Sequence, residues 1–408
     1  MKTHRLKLLL PAVTLALSLI SSCSFAATLV VTNLASLGPG TLRQALSDNI
    51  TLGGGHTIVF SNVTGTIILQ GELSVFAPVT ILGPGTNVLA VSGNNFTRVF
   101  TVTAGPTFIS DLTIRNGRAV GGPGQGNQED GQDGLGGGIW NLNSMLTISN
   151  CLVLSNSVVG GVGAERRMGI VGRGGKSMGG GICNSGGTLS VLNTRFEGNE
   201  STGGIGGSGL SGAGGSGGEG HGGAIYSTTG TGQIVACTFI NNQVSGGQGG
   251  FSGGGQHGAG SQGYGGAIYS ISPLTILNST LCGNAANGGM GGNGMGSGSS
   301  YGGGIYSIST LNLHSCTIVS NTALSLSTDF GGGIYGGGDT GITNCTIAFN
   351  QSDNGGGLQG AATLANTIVA RNSATNGPDG NGFLFNSQDY NLIENTNGMT
   401  LLGTLTHV

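Results

Sequence analysis

Short apolar runs in which every second residue is Thr, Ser or Asn recur along most of the chain. Examples are Leu-Thr-Ile at 112–114, Leu-Thr-Ile-Ser at 146–149 and Leu-Asn-Leu at 311–313. Alternation with a period of two predicts short β-strands with one buried and one solvated side. No long helical period follows the first residues, and the spans between runs are too short for crossover helices. We therefore expect an all-β chain that coils into a solenoid of strands.

A unit of two glycines, a Gly or Ala and an aliphatic residue recurs seven times between Gly136 and Asn372. The aliphatic residues are spaced by 43, 43, 43, 37, 29 and 24 residues and are Ile139, Ile182, Ile225, Ile268, Ile305, Ile334 and Leu358. A small residue follows in each repeat, flanked by aliphatic residues three positions before it and two positions after it. These constant columns predict a single right-handed parallel β-helix whose insertions shrink along the chain.

Two polar columns accompany the aliphatic ones. The small residues are Cys151, Thr194, Cys237, Ser279, Cys316, Cys345 and Thr367, and five positions after each stands an Asn, namely Asn156, Asn199, Asn242, Asn284, Asn321, Asn350 and Asn372. Because Cys alternates with Thr and Ser, we interpret the first column as small buried side chains; disulfides are the alternative. For the Asn column we expect left-handed corners with amides that hydrogen-bond along the axis.

Residues 27–110 are predicted to form an N-terminal cap and the first coils. Short β-branched runs lie at 28–31, 57–60, 66–69, 79–82 and 99–102. Residues 41–48 have helical spacing at Leu42, Ala45 and Leu46, and we expect this helix to plug the open end of the solenoid. At a rise of ~4.8 Å per coil, about eleven coils would form a rod roughly 50 Å long.

Residues 1–26 have the features of a signal peptide. A basic start and an apolar stretch at 8–20 precede a small-x-small cleavage site that ends at Ala26. The alternative is a lipoprotein signal in which Cys23 is acylated and anchors the chain. Either signal predicts a protein that is secreted or held at the outer membrane surface of a Gram-negative-type bacterium. We expect no transmembrane segment after signal removal.

Amino-acid composition limits the classes of partner that the protein is expected to bind. Of 408 residues 88 are Gly and 7% are charged, yet the mean hydropathy is positive, which is typical neither of a charged disordered chain nor of an ordinary globule. Without the three basic residues of the signal peptide, the 13 Lys and Arg fall to 10, against 16 Asp and Glu. This mildly acidic balance gives no reason to expect nucleic acid or an anionic membrane as a partner.

Five Gly-rich insertions leave the solenoid at one corner, between the Asn and the next Gly-Gly. They lie at 120–135, 158–178, 201–221, 244–264 and 285–301. Glycines at every third position from Gly203 to Gly218 have the period of a polyproline II helix. Our hypothesis is that the insertions pack as extended Gly-rich helices, backbone against backbone; flexible coil is the alternative.

The repeats resemble those of a known family. Gly-Gly-Ala-Ile at 222–225 and 265–268, together with Phe-x-x-Asn at 196–199 and 239–242, is similar to the repeat pair of the chlamydial polymorphic outer membrane proteins. It is also similar to the wider set of bacterial surface proteins with right-handed parallel β-helix repeats. The resemblance covers roughly residues 111–372 of a predicted repeat domain, 111–375, and implies a structural or adhesive role at the cell surface.

The chain departs from that family at its end. Polymorphic outer membrane proteins carry a C-terminal β-barrel, which needs many strands of about ten residues. Only 36 residues follow Asn372, so residues 376–408 are predicted to form one C-terminal coil. A complete chain and a truncated one both remain open.

Candidate catalytic groups are sparse. Right-handed β-helices include pectate lyases and polygalacturonases, whose reactions need converging acids and bases. Here the 16 acidic residues are scattered, and the one dense group is Glu129, Asp130 and Asp133 on a loop. Its spacing fits no EF-hand, so a Ca²⁺ site there is the less favoured interpretation; ion pairing with Glu165-Arg166-Arg167 on the next loop is another. We therefore predict no catalytic, cofactor-binding or metal-binding residue, no cofactor, and a protein that is not an enzyme.

Aromatic residues suggest a binding surface. Trp140, Tyr226, Tyr269, Tyr306 and Tyr335 each follow an inward aliphatic residue by one position, so they should point outward and stack from coil to coil. Such a stack could seat sugar rings on its aromatic faces, or it could simply cover the corner. Two functions remain open: a structural and adhesive surface protein that binds a carbohydrate or another surface protein, and a polysaccharide-binding or polysaccharide-degrading β-helix protein of the pectate lyase type.

Overall fold

The computed structural model describes residues 26–125, 129–166, 171–294, 296–388 and 390–403. Residues 1–25, including Cys23, and Arg167 lie outside the described residues, so the predicted signal peptide and lipid anchor stay predictions. Within the described part of the chain, no helix has the length and apolar character needed to cross a bilayer.

Each repeat folds into one coil of three to five short strands, and equivalent strands of successive coils pair in parallel to form stacks. We number the stacks 1 to 5 in chain order within a coil, beginning after the Gly-Gly corner. The pairing follows the repeat interval, so Ile139 pairs with Ile182 and Ile182 with Ile225. The chain is therefore a right-handed parallel β-helix, which confirms the predicted fold class.

Stacks 1 and 2 form one continuous sheet. Stack 1 contains Leu73–Val75, Phe100–Val102, Ile139–Leu142, Ile182–Ser185, Ile225–Ser227, Ile268–Ser270, Ile305–Ser307, Ile334–Gly336 and Leu358–Gly360. Stack 2 contains Thr28–Val31, His56–Phe60, Val79–Leu82, Thr107–Ser110, Leu146–Ser149, Leu189–Leu192, Gly232–Val235, Leu274–Leu277, Leu311–His314, Thr340–Thr343, Ala362–Ala365 and Met399–Gly403. The long strand Gly380–Ser387 pairs in both stacks.

Stacks 3 to 5 complete each coil. Stack 3 contains Gly65–Ile68, Leu89–Ser92, Thr113–Arg115, Leu152–Leu154, Arg195–Glu197, Thr238–Ile240, Thr280–Cys282, Thr317–Val319, Thr346–Ala348, Ile368–Ala370 and Leu392–Ile393. Stack 4 contains Arg118–Val120, Ser157–Val159, Glu200–Thr202, Gln243–Ser245, Ala285–Asn287 and Thr322–Ala323. Stack 5 contains Gly134–Leu135, Ser177–Met178, Gly220–His221, Gly263–Tyr264 and Ser300–Tyr301. The 11 strands of stack 3 agree with the predicted number of coils.

The helix Leu42–Thr51 plugs the N-terminal end, as predicted, and ends three residues later than the sequence indicates. It begins because the Thr41 hydroxyl accepts a hydrogen bond from the Gln44 amide at 3.2 Å, a typical N-cap contact. Leu42, Ala45 and Leu46 are buried against the first strands of stacks 1 and 2. The helix thus covers apolar core that the first coil would otherwise expose.

The interior is filled by the predicted aliphatic columns. Ile148, Val191 and Ile234 are at most 1% exposed, and Phe196 stacks on Phe239 with ring centroids 4.8 Å apart. The small column is also buried, and the six described cysteines are free thiols. The interpretation of this column as small buried side chains is confirmed.

The Asn column forms the predicted amide ladder. Each Asn donates its side-chain amide to the side-chain oxygen of the next, over 2.9 to 3.0 Å, from Asn156 to Asn372. The ladder ends on the buried carboxylate of Asp379, which accepts from the Asn372 side chain at 2.9 Å. These side chains therefore satisfy one another inside the wall, as buried polar groups must.

The predicted backbone conformation of the Asn column is wrong. Left-handed residues, with φ from 43° to 67°, stand one position before the Asn column and one position before the small column. They are Asn150, Asn193, Ala236, Asn278, Ser315, Asn344 and Asn366 before the small column, and Ser155, Gly198, Asn241, Gly283, Ser320, Phe349 and Arg371 before the Asn column. The bend thus falls just ahead of the Asn, whose side chain turns inward to join the ladder.

The Gly-rich insertions are ordered into two layers, which we call the fringe. One layer holds the segments that leave stack 4, and the other holds those that return to stack 5. Gly163 donates to the Ile205 carbonyl within the outgoing layer, and Gly174 to the Ser216 carbonyl within the return layer, both at 2.9 Å. Gly204 links the layers by donating to the Gly175 carbonyl at 2.8 Å. The predicted packing of backbone against backbone is confirmed; a 3-10 turn, Gly292–Gly294, lies in the last loop.

Candidate functional site

The predicted outward stack of aromatic side chains is present in stack 1. Tyr226, Tyr269, Tyr306 and Tyr335 follow one another in register, with ring centroids 5.2, 5.1 and 5.0 Å apart and interplanar angles of 8° to 14°. Their position follows from strand geometry, because the residue after an inward Ile points to the opposite face. All four rings are partly exposed.

A second aromatic column lies beside the first, and the sequence analysis missed it. His221, Tyr264, Tyr301 and Phe330 stack with centroids 5.3, 5.0 and 5.2 Å apart. Each occupies the position immediately before the Gly-Gly corner, which the sequence analysis treated as the end of an insertion. The signal available was that this position is aromatic in four successive repeats.

The two columns interlock, and we call the eight rings together the aromatic ladder. Rings of the second column meet rings of the first edge to face: His221 with Tyr269 at 4.6 Å, Tyr264 with Tyr306 at 4.9 Å and Tyr301 with Tyr335 at 5.5 Å. Because neighbours within a column cover one another's faces, a ligand meets mainly ring edges. The predicted seating of sugar rings on aromatic faces does not fit this geometry.

The ladder presents phenol hydroxyl groups instead. It contains six of the chain's seven tyrosines. Within the described residues, no hydrogen bond joins any of these six hydroxyls to another protein group. Burial, reinforced by Glu219, raises the pKa of Tyr269 to about 12, and burial also raises the pKa of Tyr226, Tyr264, Tyr306 and Tyr335. These five phenols are therefore neutral donors and acceptors at physiological pH.

A polar column runs parallel to the ladder on the return layer. Its members, two positions before the second aromatic column or its equivalent, are Lys176, Glu219, Gln262 and Ser299. Residues two apart in an extended segment share a face, so the polar column borders the rings. Lys176 pairs with Glu219 at 2.6 Å, and Gln262 helps to line an open groove of about 360 Å³. Charged, amide and hydroxyl groups thus form one wall of the face.

His221 sits where the polar column meets the rings. It is 5% exposed and stacks on Tyr264, while its Nε2 lies 3.6 Å from the Glu219 carboxylate. Burial lowers the pKa of His221 to about 4; Glu219 opposes this shift and Lys176 adds to it. The imidazole is therefore neutral near pH 7 and acts as one more ring in the stack.

Trp140 is separated from the continuous stack. Cys183 occupies the intervening coil and is fully buried, so the tryptophan does not contact Tyr226 as a neighbour. The Trp140 ring instead lies 5.2 Å from the guanidinium carbon of Arg98, which pairs with Glu72 at 2.5 Å. The aromatic surface predicted as one column of five rings is thus an interlocked pair of four-ring columns, with Trp140 apart from it.

The acidic loop group holds backbone in place. The side chains of Asp130 and Asp133 accept hydrogen bonds from the amides of Arg173 and Lys176 at 2.6 and 2.8 Å. Within residues 26–403, apart from the undescribed positions, no group of three or more His, Cys, Asp or Glu side chains could hold a metal ion. The described ion pairs include none between this group and Glu165 or Arg166.

Comparisons with known proteins identify no family. No protein-family model matches the chain, and no curated protein matches it. The chain is similar to the solved structure of the pectin methylesterase from Aspergillus niger in deglycosylated form, at 11% identity over 93% of this chain and 91% of that chain, with a TM-score of 0.29. The resemblance to polymorphic outer membrane proteins stays a prediction.

One prediction is corrected by this comparison. The sequence analysis predicts a protein that is not an enzyme, whereas the matched structure is that of an enzyme and aligns along nearly the whole chain. We therefore do not retain the non-enzymatic assignment. A TM-score of 0.29 carries no argument about the chemistry of this chain, so the function must be inferred from its own surface.

Proposed function

We propose that this protein binds a polysaccharide along the aromatic ladder and its polar column. The observation that carries the proposal is a set of six partly exposed tyrosines whose hydroxyls have no protein partner among the described residues, with ring centroids about 5 Å apart along each column. A polymer with many hydroxyl groups can satisfy such a row by hydrogen bonds. The polar column supplies further donors and acceptors from Gln262 and Ser299.

The geometry also supports a polymer over a small molecule. Four successive coils present an aromatic side chain at the same two positions, so a ligand gains affinity by contacting several coils at once. The face is open and elongated, whereas pockets for small molecules are typically concave and enclose the ligand. A chain molecule that lies along the solenoid axis fits this arrangement.

A pull-down with insoluble polysaccharides tests the proposal. We expect the wild type to be retained and the double variant Tyr269→Ala and Tyr306→Ala to lose roughly tenfold or more in affinity, since each lost hydrogen bond contributes about 1 kcal/mol. The matched control is Tyr390→Ala, because Tyr390 is 74% exposed and lies outside the ladder. Equal retention of the double variant and the wild type would refute the proposal.

A second candidate function is adhesion through the outgoing layer of the fringe. Val162 and Ile205 occupy equivalent positions of adjacent coils and are 41% and 46% exposed; Gln248 occupies this position in the next coil, and Met290, 53% exposed, in the one after. Phe251, three residues after Gln248, is 56% exposed. Exposed apolar side chains grouped on one layer are typical of surfaces that contact proteins. Ile205→Ser with Met290→Ser should reduce binding to cell surfaces and leave polysaccharide retention unchanged; undiminished cell binding would count against adhesion through this layer.

A further inference from the structure

We infer that the polysaccharide bound by the aromatic ladder is a neutral, extended glycan whose chain runs parallel to the solenoid axis. This inference rests on the proposed function and adds the ligand's class and orientation. It follows from the direction of the ladder, the chemistry of its exposed groups and the charges beside it.

The orientation follows from the direction of the ladder. The first column advances from Tyr226 to Tyr335 in three steps of 5.2, 5.1 and 5.0 Å, or about 15 Å. Each step equals the rise of one coil, ~4.8 Å between paired strands, within a few tenths of an ångström. Only a polymer in an extended conformation, with a repeat close to this rise, can place an equivalent hydroxyl opposite each phenol. A helical or compact glycan would lose register after one or two coils.

The mode of contact follows from the covered ring faces. Interplanar angles of 6° to 17° within the columns leave little aromatic face for a sugar ring. The available contacts are the hydroxyls and edges of the tyrosines, and five of these phenols remain neutral because burial raises their pKa. Neutral donors of this kind match the hydroxyl groups of an uncharged sugar.

The charge class follows from the side chains around the ladder. Its one nearby cation on the polar column, Lys176, is paired with Glu219 at 2.6 Å. Glu219 also adds to the raised pKa of Tyr269, so its carboxylate acts electrostatically on the phenols. A uronate polymer would bring a carboxylate to each coil, meet Glu219 and find no cation at Gln262 or Ser299; Arg173 lines the same groove as Lys176, at the other end of the polar column. Desolvating those carboxylates without a partner is unfavourable.

The binding experiment compares glycans that differ in charge. Cellulose, chitin and β-1,4-linked xylan serve as neutral ligands, and polygalacturonate and alginate as acidic ones, in pull-down assays at fixed ionic strength. We expect retention on at least one neutral ligand and at least tenfold weaker retention on both acidic ones. Stronger or equal binding of a uronate would overturn the inference while leaving the proposed function standing. Binding to none of the five would instead refute the proposed function.

Hydroxyl deletion tests the contact mode. Tyr269→Phe with Tyr306→Phe keeps the stacked rings and removes two phenol hydroxyls, so the fold is retained while affinity for the neutral glycan should fall about tenfold. Tyr390→Phe is the matched control, since it removes the one tyrosine hydroxyl outside the ladder. An unchanged affinity of the double variant would overturn the assigned contact.

Charge and length provide two further readouts. Glu219→Gln leaves Lys176 unpaired, so we expect this variant to gain measurable affinity for polygalacturonate. An unchanged preference for neutral over acidic glycans would contradict the electrostatic argument.

With soluble oligosaccharides of a bound neutral glycan, affinity should rise with length and level off once the oligomer exceeds about 15 Å, the length of the first column. Affinity that is independent of length would contradict the axial orientation.

Discussion

The wall of the solenoid and the fringe stack their coils by different means. In the wall, apolar side chains fill the interior, and the Asn ladder connects each coil to the next through side-chain amides. In the fringe, glycine backbones supply nearly all the connections, as in the hydrogen bond from Gly204 to the Gly175 carbonyl of the preceding coil at 2.8 Å. The same rise per coil thus occurs in the wall, where side chains connect the coils, and in the fringe, where backbone groups connect them.

This difference explains why the two regions tolerate different substitutions. A Cβ added to Gly204 or Gly218 would lie closer than 3.0 Å to the carbonyl oxygen of a neighbouring segment. In the wall, a substitution is tolerated only if every buried amide keeps a hydrogen-bond partner, because an unpaired polar group there costs about 1–3 kcal/mol. The proposed binding face lies between these regions, where the aromatic ladder borders the return layer.

The largest expected effect tests the wall. Asn242 is fully buried, accepts from the backbone and side-chain amides of Asn199, and donates to Asn284 and to the Phe196 carbonyl. Asn242→Ala leaves several of these groups unpaired, so we expect the free energy of unfolding to fall by about 4 kcal/mol. Chemical denaturation measures this change.

The adjacent residue provides the control. Gln243 is exposed, and its side chain makes one hydrogen bond of 3.4 Å to Ser245. Gln243→Ala should change the free energy of unfolding by less than about 0.5 kcal/mol. Similar effects of the two substitutions would show that the ladder does not hold the wall together.

A smaller effect is expected at the boundary between wall and fringe. Burial lowers the pKa of His221 to about 4, below the 6.5 of an exposed His. As pH falls from 6.5 towards 4, the unfolded chain takes up a proton that the folded chain does not, so stability decreases by up to about 3 kcal/mol. Above pH 6.5 this contribution is constant.

Comparison with His221→Phe isolates the effect. The variant keeps a ring in the stack and cannot titrate, so its stability should fall less than that of the wild type between pH 7 and pH 4. Burial raises the pKa of Asp379, so its contribution to stability increases as pH falls, opposite to that of His221. Because both proteins contain Asp379, this contribution cancels in the comparison. Parallel stability curves for the two proteins would contradict a buried neutral His221.

The sequence predicted the wall better than the fringe, for a physical reason. Apolar and Asn columns carry side-chain chemistry that repeats, so Ile148, Val191 and Ile234 could be placed inside from their spacing alone. The left-handed corners could not, because the residues that bend there include Phe349 and Arg371, which have no preference for that conformation. Their conformation is set by the coil on either side.

The candidate site was half predictable. Strand alternation places Tyr226 and Tyr269 outward, but nothing local indicates that Tyr264 and Tyr301, at the ends of Gly-rich insertions, form a second stacked column. That pairing depends on the return layer arriving in register, which backbone hydrogen bonds determine. For the same reason, the sequence predicted exposed ring faces where the structure presents hydroxyls and edges.

The next effect should be local to the fringe. Gly204→Ala places a methyl group against the Gly161 carbonyl, and we expect a cost of about 1–3 kcal/mol that opens neighbouring fringe segments only. Hydrogen exchange should show loss of amide protection in residues 203–218, with the strand Gly232–Val235 still protected. Gly254→Ala is the control, because its nearest neighbouring atom is 3.5 Å away. Rapid exchange of the wild-type fringe would contradict its ordered packing.

The smallest expected effect concerns the ladder itself. Tyr269→Phe removes a hydroxyl that has no partner among the described residues and leaves the stacking contacts with Tyr226 and Tyr306 intact. The free energy of unfolding should therefore change by less than about 0.5 kcal/mol, while Asn242→Ala lowers it several-fold more. A substantial loss of stability would mean that the protein itself uses this hydroxyl. The row of phenols would then belong to the wall's internal hydrogen bonding, and the main argument for a polysaccharide on this face would fail.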